Sequence, residues 1–274
     1  MSTHVSVAPR WLADAFTSRG GNAPRLLRDV DDAVWTDGSL VAKLHKDPGQ
    51  ARHEQMAANR FSAAGCCVAP PWGIQETGTG SAVSWWTYAD IEGPTTSCEA
   101  ARWLREAHDT AAVQPMPLAR LVPSTRAAHP GAAELHTGLA PWRHHAHEAQ
   151  ATLARLPQVL IHGDANPTNI VRSADGSVLA LDFGASGAGP RVFDVATVAV
   201  VATETGTASR SEVVDAYGPH PDITPELMQV AELIVAVARA QACTWVPWLD
   251  EGWERLEALR AGRPYVFGAG NHPK

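Results

Sequence analysis

No stretch of this chain approaches the roughly 20 uninterrupted apolar residues that a bilayer span requires. The nearest, Val192 to Ala202, is short and carries Asp194. The first residues, Met1-Ser2-Thr3-His4-Val5, show no basic region followed by an apolar core, so no signal peptide is expected, and the reading is of a cytoplasmic protein with no membrane partner. Cysteine is scarce. Cys66, Cys67, Cys98 and Cys243 have neither disulfide-framework nor zinc-site spacing, which argues against a stapled secreted domain and predicts buried, reduced thiols. There is no surplus of positive charge either: the formal net charge of -7 disfavours nucleic acid, because a phosphate backbone selects basic surfaces. The same charge fits a cationic ligand, although plain solubility explains it with more weight. Lysine is nearly absent, with Lys43, Lys46 and Lys274 set against nineteen arginines. No Gly-x-Gly-x-x-Gly loop precedes residue 89.

At 274 residues, 45% apolar and 19% charged, the chain can bury a substantial core as one large or two modest domains, and disorder is not the default. Its chemistry is concentrated between Leu160 and Ala196. That segment opens Leu160-Ile161-His162-Gly163-Asp164-Ala165-Asn166-Pro167-Thr168-Asn169-Ile170-Val171, continues to Leu179-Ala180-Leu181-Asp182-Phe183-Gly184, and closes on Gly189-Pro190 and Asp194-Val195-Ala196. In kinases one Asp sits beside the substrate hydroxyl, an Asn five residues later holds magnesium, and a second Asp after a hairpin holds the metal that bridges the ATP phosphates. Asp164, Asn169 and Asp182 have that order and spacing. The local structure agrees: Val159 to Ile161 enters the Asp164 loop as an apolar run, Ile170 and Val171 begin a strand, Ser173 to Ser177 turn, and Val178 to Leu181 return. Asn169 then starts one strand and Asp182 ends the other. Magnesium takes oxygen ligands and keeps several waters, so one Asn, one Asp and nucleotide phosphates suffice.

On His162-Gly163-Asp164 with Pro167, Asn169 and Ile170, and on Asp182-Phe183 followed by Gly189 and Asp194-Val195-Ala196, the chain resembles the aminoglycoside phosphotransferase and choline kinase-like kinases, small-molecule relatives of the protein kinases. It departs from them at Asn166, Thr168 and Phe183, where the family often has His, Gly and Trp. The resemblance implies that Asp164 is the catalytic base or hydroxyl-orienting residue, that Asn169 and Asp182 hold Mg2+, and that His162 and Asp194 support the catalytic loop. It also implies an α+β, two-lobed protein-kinase-like fold, with a small β-rich nucleotide-binding lobe over 1–88 and a larger, mainly helical catalytic and substrate-binding lobe over 89–274.

A kinase needs a strand lysine paired with a helix glutamate. Leu26 to Val30 and Ala33 to Trp35 read as strands, Thr36 to Ser39 as a turn, and Leu40-Val41-Ala42-Lys43-Leu44 as the next strand, which carries Lys43 toward the phosphates of ATP (or GTP). Lys46 competes, but it lies just before Asp47-Pro48-Gly49, where the strand has ended. A helix over Gln50 to Ala64 offers Glu54 as the partner of Lys43, the alternative being a solvent-facing glutamate. The β-rich run Ser81 to Tyr88 breaks at Ala89 to Pro94. In the family that break is the hinge between lobes, so backbone groups of Tyr88, Ala89 and Ile91 would meet the adenine edge. The resemblance implies a less glycine-rich loop over the phosphates, expected at Asp29 to Ala33.

Cys98 to Asp109 reads as a helix that gives His108 a structural role, and the group His144, His145 and His147 lacks companions at metal-ligand spacing. Pro225 to Thr244 reads as a long buried helix. After it, Trp245, Trp248, Asp250, Glu251, Trp253 and Glu254 crowd indoles and carboxylates together, which suits a cationic sugar, while core plugs beside an exposed acidic helix start account for them equally well. The expected partner is a small molecule bearing a hydroxyl and possibly a positive charge, with an aminoglycoside-type antibiotic or amino sugar first, in resistance or in biosynthesis. Alternatives within the same chemistry are a macrolide, peptide or nucleoside antibiotic, or a metabolite such as choline, homoserine or glucosamine. A nucleotide-binding, pseudokinase-like module is the alternative from another class, and the intact set Lys43, Asp164, Asn169 and Asp182 argues against it. Oligomeric state is not legible.

Overall fold

The computed structural model describes residues 8–29, 33–78, 80–110, 132–244 and 249–266. By its contacts the chain forms two units, residues 1–92 with 172–184, and residues 93–171 with 185–274. In the first, helix α1 (Arg10–Ser18) precedes strands β1 (Arg25–Asp29), β2 (Ala33–Thr36) and β3 (Leu40–His45), helix α2 (Pro48–Ala63), and strands β4 (Pro71–Glu76) and β5 (Ala82–Thr87). The five strands make one antiparallel sheet in the order β1-β2-β3-β5-β4.

The two-residue period of a strand gives this sheet two chemically different faces. Trp35, Ala42 and Trp85 stand in register on β2, β3 and β5 and bury against Leu12, Ala15 and Phe16 of α1. The Phe16 ring meets Trp85 edge-on at 4.9 Å between centroids. Val34, Lys43 and Ser84, one residue out of phase, point the other way. Helix α2 starts at Pro48 rather than at the expected Gln50, because Asp47 accepts a hydrogen bond from the Gly49 amide (2.8 Å) and Pro48 occupies the first helical position, where a missing N–H costs nothing. Strand β6 (Ile91–Pro94) forms where the sequence predicts only a break.

In the second unit come α3 (Ser97–Thr110), α4 (Ala133–Gly138), α5 (Ala140–Leu153) and strand β7 (Gln158–Ile161). Strands β8 (Ile170–Ser173) and β9 (Val178–Ala180) are the expected hairpin, and most of it, residues 172–184, groups with the first unit. There Ala180 exchanges backbone hydrogen bonds with Cys67 (3.1 Å) and Ala69 (3.2 Å), and Phe183 packs on Phe61 of α2. Strand β10 (Gly187–Pro190) pairs antiparallel with β7 and runs into α6 (Arg191–Thr205); α7 (Arg210–Tyr217), α8 (Pro225–Ala242) and α9 (Leu249–Arg260) complete the unit. Leu135, Leu139, Ala240 and Leu256 close a core where α4, α8 and α9 meet. Of the expected buried cysteines only Cys243 is buried; Cys66 and Cys98 are half-buried, and Cys67, two residues after Gly65, is exposed. Among the described residues no helix is long and apolar enough to cross a membrane.

Candidate active site

The first unit assembles Lys43, Glu54 and Asp182. Strand β3 sends Lys43 from the face opposite the tryptophans, α2 brings Glu54 over it, and the docked hairpin delivers Asp182. Lys43 Nζ donates to Glu54 Oε1 at 2.9 Å and to Asp182 Oδ1 at 2.8 Å. Lys43 and Glu54 are 7% and 1% exposed, so the pair is fixed by burial as well as charge. Burial opposes the charge on Lys43, but Asp182 and then Glu54 outweigh it and hold the ammonium above its ordinary range. Burial pushes the Glu54 carboxyl up, against the pull of Lys43. Breaking such a pair from one side leaves an uncompensated buried charge, which costs about 3–5 kcal/mol. Asp182 is the one described non-glycine residue with a left-handed backbone (φ 57°), a conformation that a short polar side chain tolerates and that cradles at functional sites often hold.

The second unit builds the loop around Asp164. The Asp164 carboxylate is exposed yet held from both sides: Asn166 Nδ2 donates to Oδ1 (3.1 Å) and Asn169 Nδ2 to Oδ2 (2.8 Å), while Asn169 also donates to the Asp164 carbonyl (3.0 Å). Beneath the loop, Asp194 in the first turn of α6 is fully buried and accepts from the amides of His162 (2.7 Å) and Gly163 (2.9 Å) and from His108 Nε2 (3.1 Å). Ser186 Oγ donates to the His162 carbonyl (2.8 Å), and the buried His162 ring accepts from the Asp164 amide (3.3 Å). Gly163 has φ +82°, and a Cβ there would collide with the carbonyl oxygen of Ala185. The loop therefore requires glycine at 163 and a buried acceptor at 194. The Asp182 carboxylate and the Asn169 amide each carry the kind of oxygen that magnesium takes, and Asn169 Oδ1 accepts no hydrogen bond among the described residues.

Other expected site residues are placed differently. Tyr88 spends its amide on the Ser39 carbonyl (2.9 Å) as β5 ends, and Ile91 is exposed. Trp245 and Trp248 lie outside the described residues. Asp250, Trp253 and Glu254 are exposed on α9, with Glu254 accepting from Tyr265 Oη (3.0 Å). Glu251 is engaged by the buried Arg255 (2.9 and 2.7 Å), which also holds the buried Glu204, so its charge is balanced inside the helical unit. A cavity of about 840 Å³ between α6, α8 and α9 is lined by Glu204, Arg255 and Tyr265 but by none of Asp164, Asn169 or Asp194. His144 lies 3.5 Å from Glu148 on exposed turns of α5, and no described group of residues forms a metal cluster of side chains.

Four participants escape the sequence reading. His45 sits wholly buried beside Glu54 (3.6 Å) and bonds Ser84 Oγ (2.7 Å); burial and then Lys43 pull its imidazole down to about 4. Its signal was alternation alone, which puts His45 in phase with Lys43 on β3. Tyr217 and Arg191 back His108, through Tyr217 Oη to His108 Nδ1 (3.0 Å) and Arg191 Nη1 to Tyr217 Oη (3.3 Å), and no local motif announces them. Arg28 reaches Asp182 Oδ2 at 3.4 Å.

Residues 28–233 match the phosphotransferase enzyme family. No curated protein sequence matches the chain significantly. Among solved structures the chain is similar to a spectinomycin phosphotransferase in complex with ADP and spectinomycin (9% identity, 93% of this chain and 94% of that one, TM-score 0.63). It is likewise similar to an amicoumacin kinase in complex with AMP-PNP and Ca2+ (14%, 89% and 90%, TM-score 0.63). A choline kinase from Streptococcus pneumoniae is a third (11%, 92% and 98%, TM-score 0.62). At these identities the likeness establishes the protein-kinase-like α+β fold, while the family match spans well over half of the chain. The chain belongs to the phosphotransferase enzyme family.

Proposed function

We propose that this enzyme transfers the γ-phosphoryl group of ATP or GTP, with magnesium, to a hydroxyl of a small molecule, an aminoglycoside-type antibiotic or amino sugar being the first candidate. The observation that carries this reading is the Asp164 carboxylate, exposed for an acceptor yet gripped by Asn166 and Asn169. Residues 1–88 would bind nucleotide, with Lys43 at its phosphates and backbone groups of Ala89 and Ile91 at its base, and residues 89–274 would carry catalysis and the acceptor. Bound magnesium would supply charge compensation on the phosphates. Asp182 and Asn169 are the residues that would hold it. Asp164 takes the proton of the acceptor hydroxyl as the hydroxyl oxygen bonds to the γ-phosphorus; the bond from phosphorus to the β–γ bridging oxygen breaks, and ADP or GDP leaves with the electron pair. The buried Asp194 holds the two amides that set the direction of this loop.

Spectinomycin and amicoumacin bound to the similar structures support an antibiotic acceptor. The choline kinase supports a second reading, a small cationic alcohol. A coupled ADP-release screen with Mg-ATP and Mg-GTP over aminoglycosides, other antibiotics, amino sugars and choline separates them; turnover confined to neutral, non-sugar alcohols would refute the cationic-sugar reading. Asp164→Asn is expected to lower kcat by at least about 10²-fold while nucleotide affinity, followed by calorimetry, stays within a few fold. A near-normal rate would remove Asp164 from its role.

A further inference from the structure

We propose that Arg28 is a second cation of the phosphate site, one that occupies the metal-binding oxygen of Asp182 when nucleotide and metal are absent and moves to the nucleotide phosphates when they bind. The proposal rests on the reading of Asp182 as a metal ligand.

Three observations carry it. First, the two oxygens of Asp182 are divided between two cations: Oδ1 bonds Lys43 Nζ at 2.8 Å and Oδ2 faces Arg28 Nη2 at 3.4 Å. A divalent ion that needs Oδ2 must displace the guanidinium. Second, the two cations differ in freedom. The Lys43 side chain is 9% exposed and also fixed by Glu54, whereas that of Arg28 is 46% exposed and its contact with Asp182 is long. An exposed pair of this kind is worth only about 0–1 kcal/mol, so Arg28 can let go cheaply.

Third, the strand is built to aim Arg28 at this face. Along β1, Leu26 pairs with Trp35, and regular alternation would put Leu27 opposite Val34 and turn Arg28 to the α1 side. A bulge intervenes: Leu27 is left unpaired and 44% exposed, and Arg28 pairs with Val34, which itself pairs with Lys43. Arg28 and Lys43 therefore project from one face of the sheet, two interstrand spacings or roughly 10 Å apart at the backbone. Re-aiming one side chain is what a bulge does beside a site. A planar guanidinium with several donors suits phosphate oxygens, and once displaced from Asp182 by a dication its nearest expected anions are those of the nucleotide.

The two states give Arg28→Ala opposite effects on two ligands. With Mn2+ alone as the spin-active probe, the variant is expected to bind metal about 3–10-fold more tightly, because a competitor is gone. With Mg-ATP, calorimetry is expected to show binding about 10-fold weaker, about 1.4 kcal/mol, with KM for ATP rising more than kcat falls. Unchanged affinity for both ligands, or weakening of both, overturns the proposal, the second because it would mark Arg28 as merely structural. Asp182→Asn separates this from the parent reading. If that variant still binds Mn2+ as the native enzyme does, the metal-ligand reading fails. If it loses Mn2+ while Arg28→Ala is neutral, only the role of Arg28 fails.

Discussion

At Gly163 one hydrogen atom in place of a side chain decides whether the loop that carries Asp164 can exist. The residue has φ +82° and no room for a Cβ beside the Ala185 carbonyl, whereas Gly38 in the β2–β3 turn has φ +93° and open space around it. The two glycines separate backbone strain from collision. Gly38→Ala is expected to cost roughly 1 kcal/mol of unfolding free energy, the left-handed penalty alone. Gly163→Ala is expected to cost roughly 2–4 kcal/mol and to depress turnover with it, since the carbonyl must move. Urea unfolding of both variants checks this, and equal losses would show that the collision relaxes freely. At this scale Asp164, Asn169, Asp182 and Asp194 were legible because their spacing in the chain is itself the signal. Arg28 and His45 were not, since an arginine or histidine on a short strand is ordinary until its neighbours are known.

Elements were legible where their ends carry chemistry. The Thr36 to Ser39 turn, the Ser173 to Ser177 turn and the β3 strand appear where the residues demand them. Helix α2 shows how a boundary is set: the first helical residue is Pro48 because Asp47 caps the amide of Gly49. Asp47→Ala is expected to cost about 1 kcal/mol. Because α2 also carries Glu54, Lys43 should lose part of its fixation, read as a modest rise in KM for ATP at nearly constant kcat. A loss of kcat without loss of stability would break that link. The bulge at Leu27 and the inward turn of Glu251 were invisible at this scale. A bulge inserts without a composition signal, and an acidic helix start reads the same whether its carboxylates face water or a buried Arg255.

Across the whole molecule, the buried charges set how stability follows pH. In the folded chain His45 titrates at about 4, below the 6.5 of a free imidazole. The unfolded chain therefore takes the proton first, so the stability this group contributes is fully present above 6.5 and is lost as pH falls from there to about 4. Glu54 acts with the opposite sign: its carboxyl is raised from 4.5 to about 7, so its contribution is present below 4.5 and is lost as pH rises through 7. His45→Gln is expected to flatten the acid limb between pH 6.5 and 4 by up to about 1.4 kcal/mol per pH unit. Denaturant melts of both proteins across that window measure it, and parallel curves would show that His45 is protonated as easily folded as unfolded. The return of residues 172–184 to the first unit is likewise a property of the whole chain, because it depends on backbone bonds from Ala180 to Cys67 and Ala69, over a hundred residues away.

The sequence by itself determined the family and the order of the residues proposed to serve its reaction. Asp164 and Asn169 are five residues apart in one loop, and Asp182 ends the hairpin that follows, so short-range chain geometry already fixes their order and spacing. Tertiary structure alone decided which partner each charge would have: Glu54 inward on Lys43, Arg28 on Asp182, Glu251 on Arg255 instead of toward an acceptor. The reason is that a charge is held by whatever burial and register place within about 3 Å of it. One unpaired residue in a strand or one turn of a helix changes that neighbour while leaving every local sequence signal as it was.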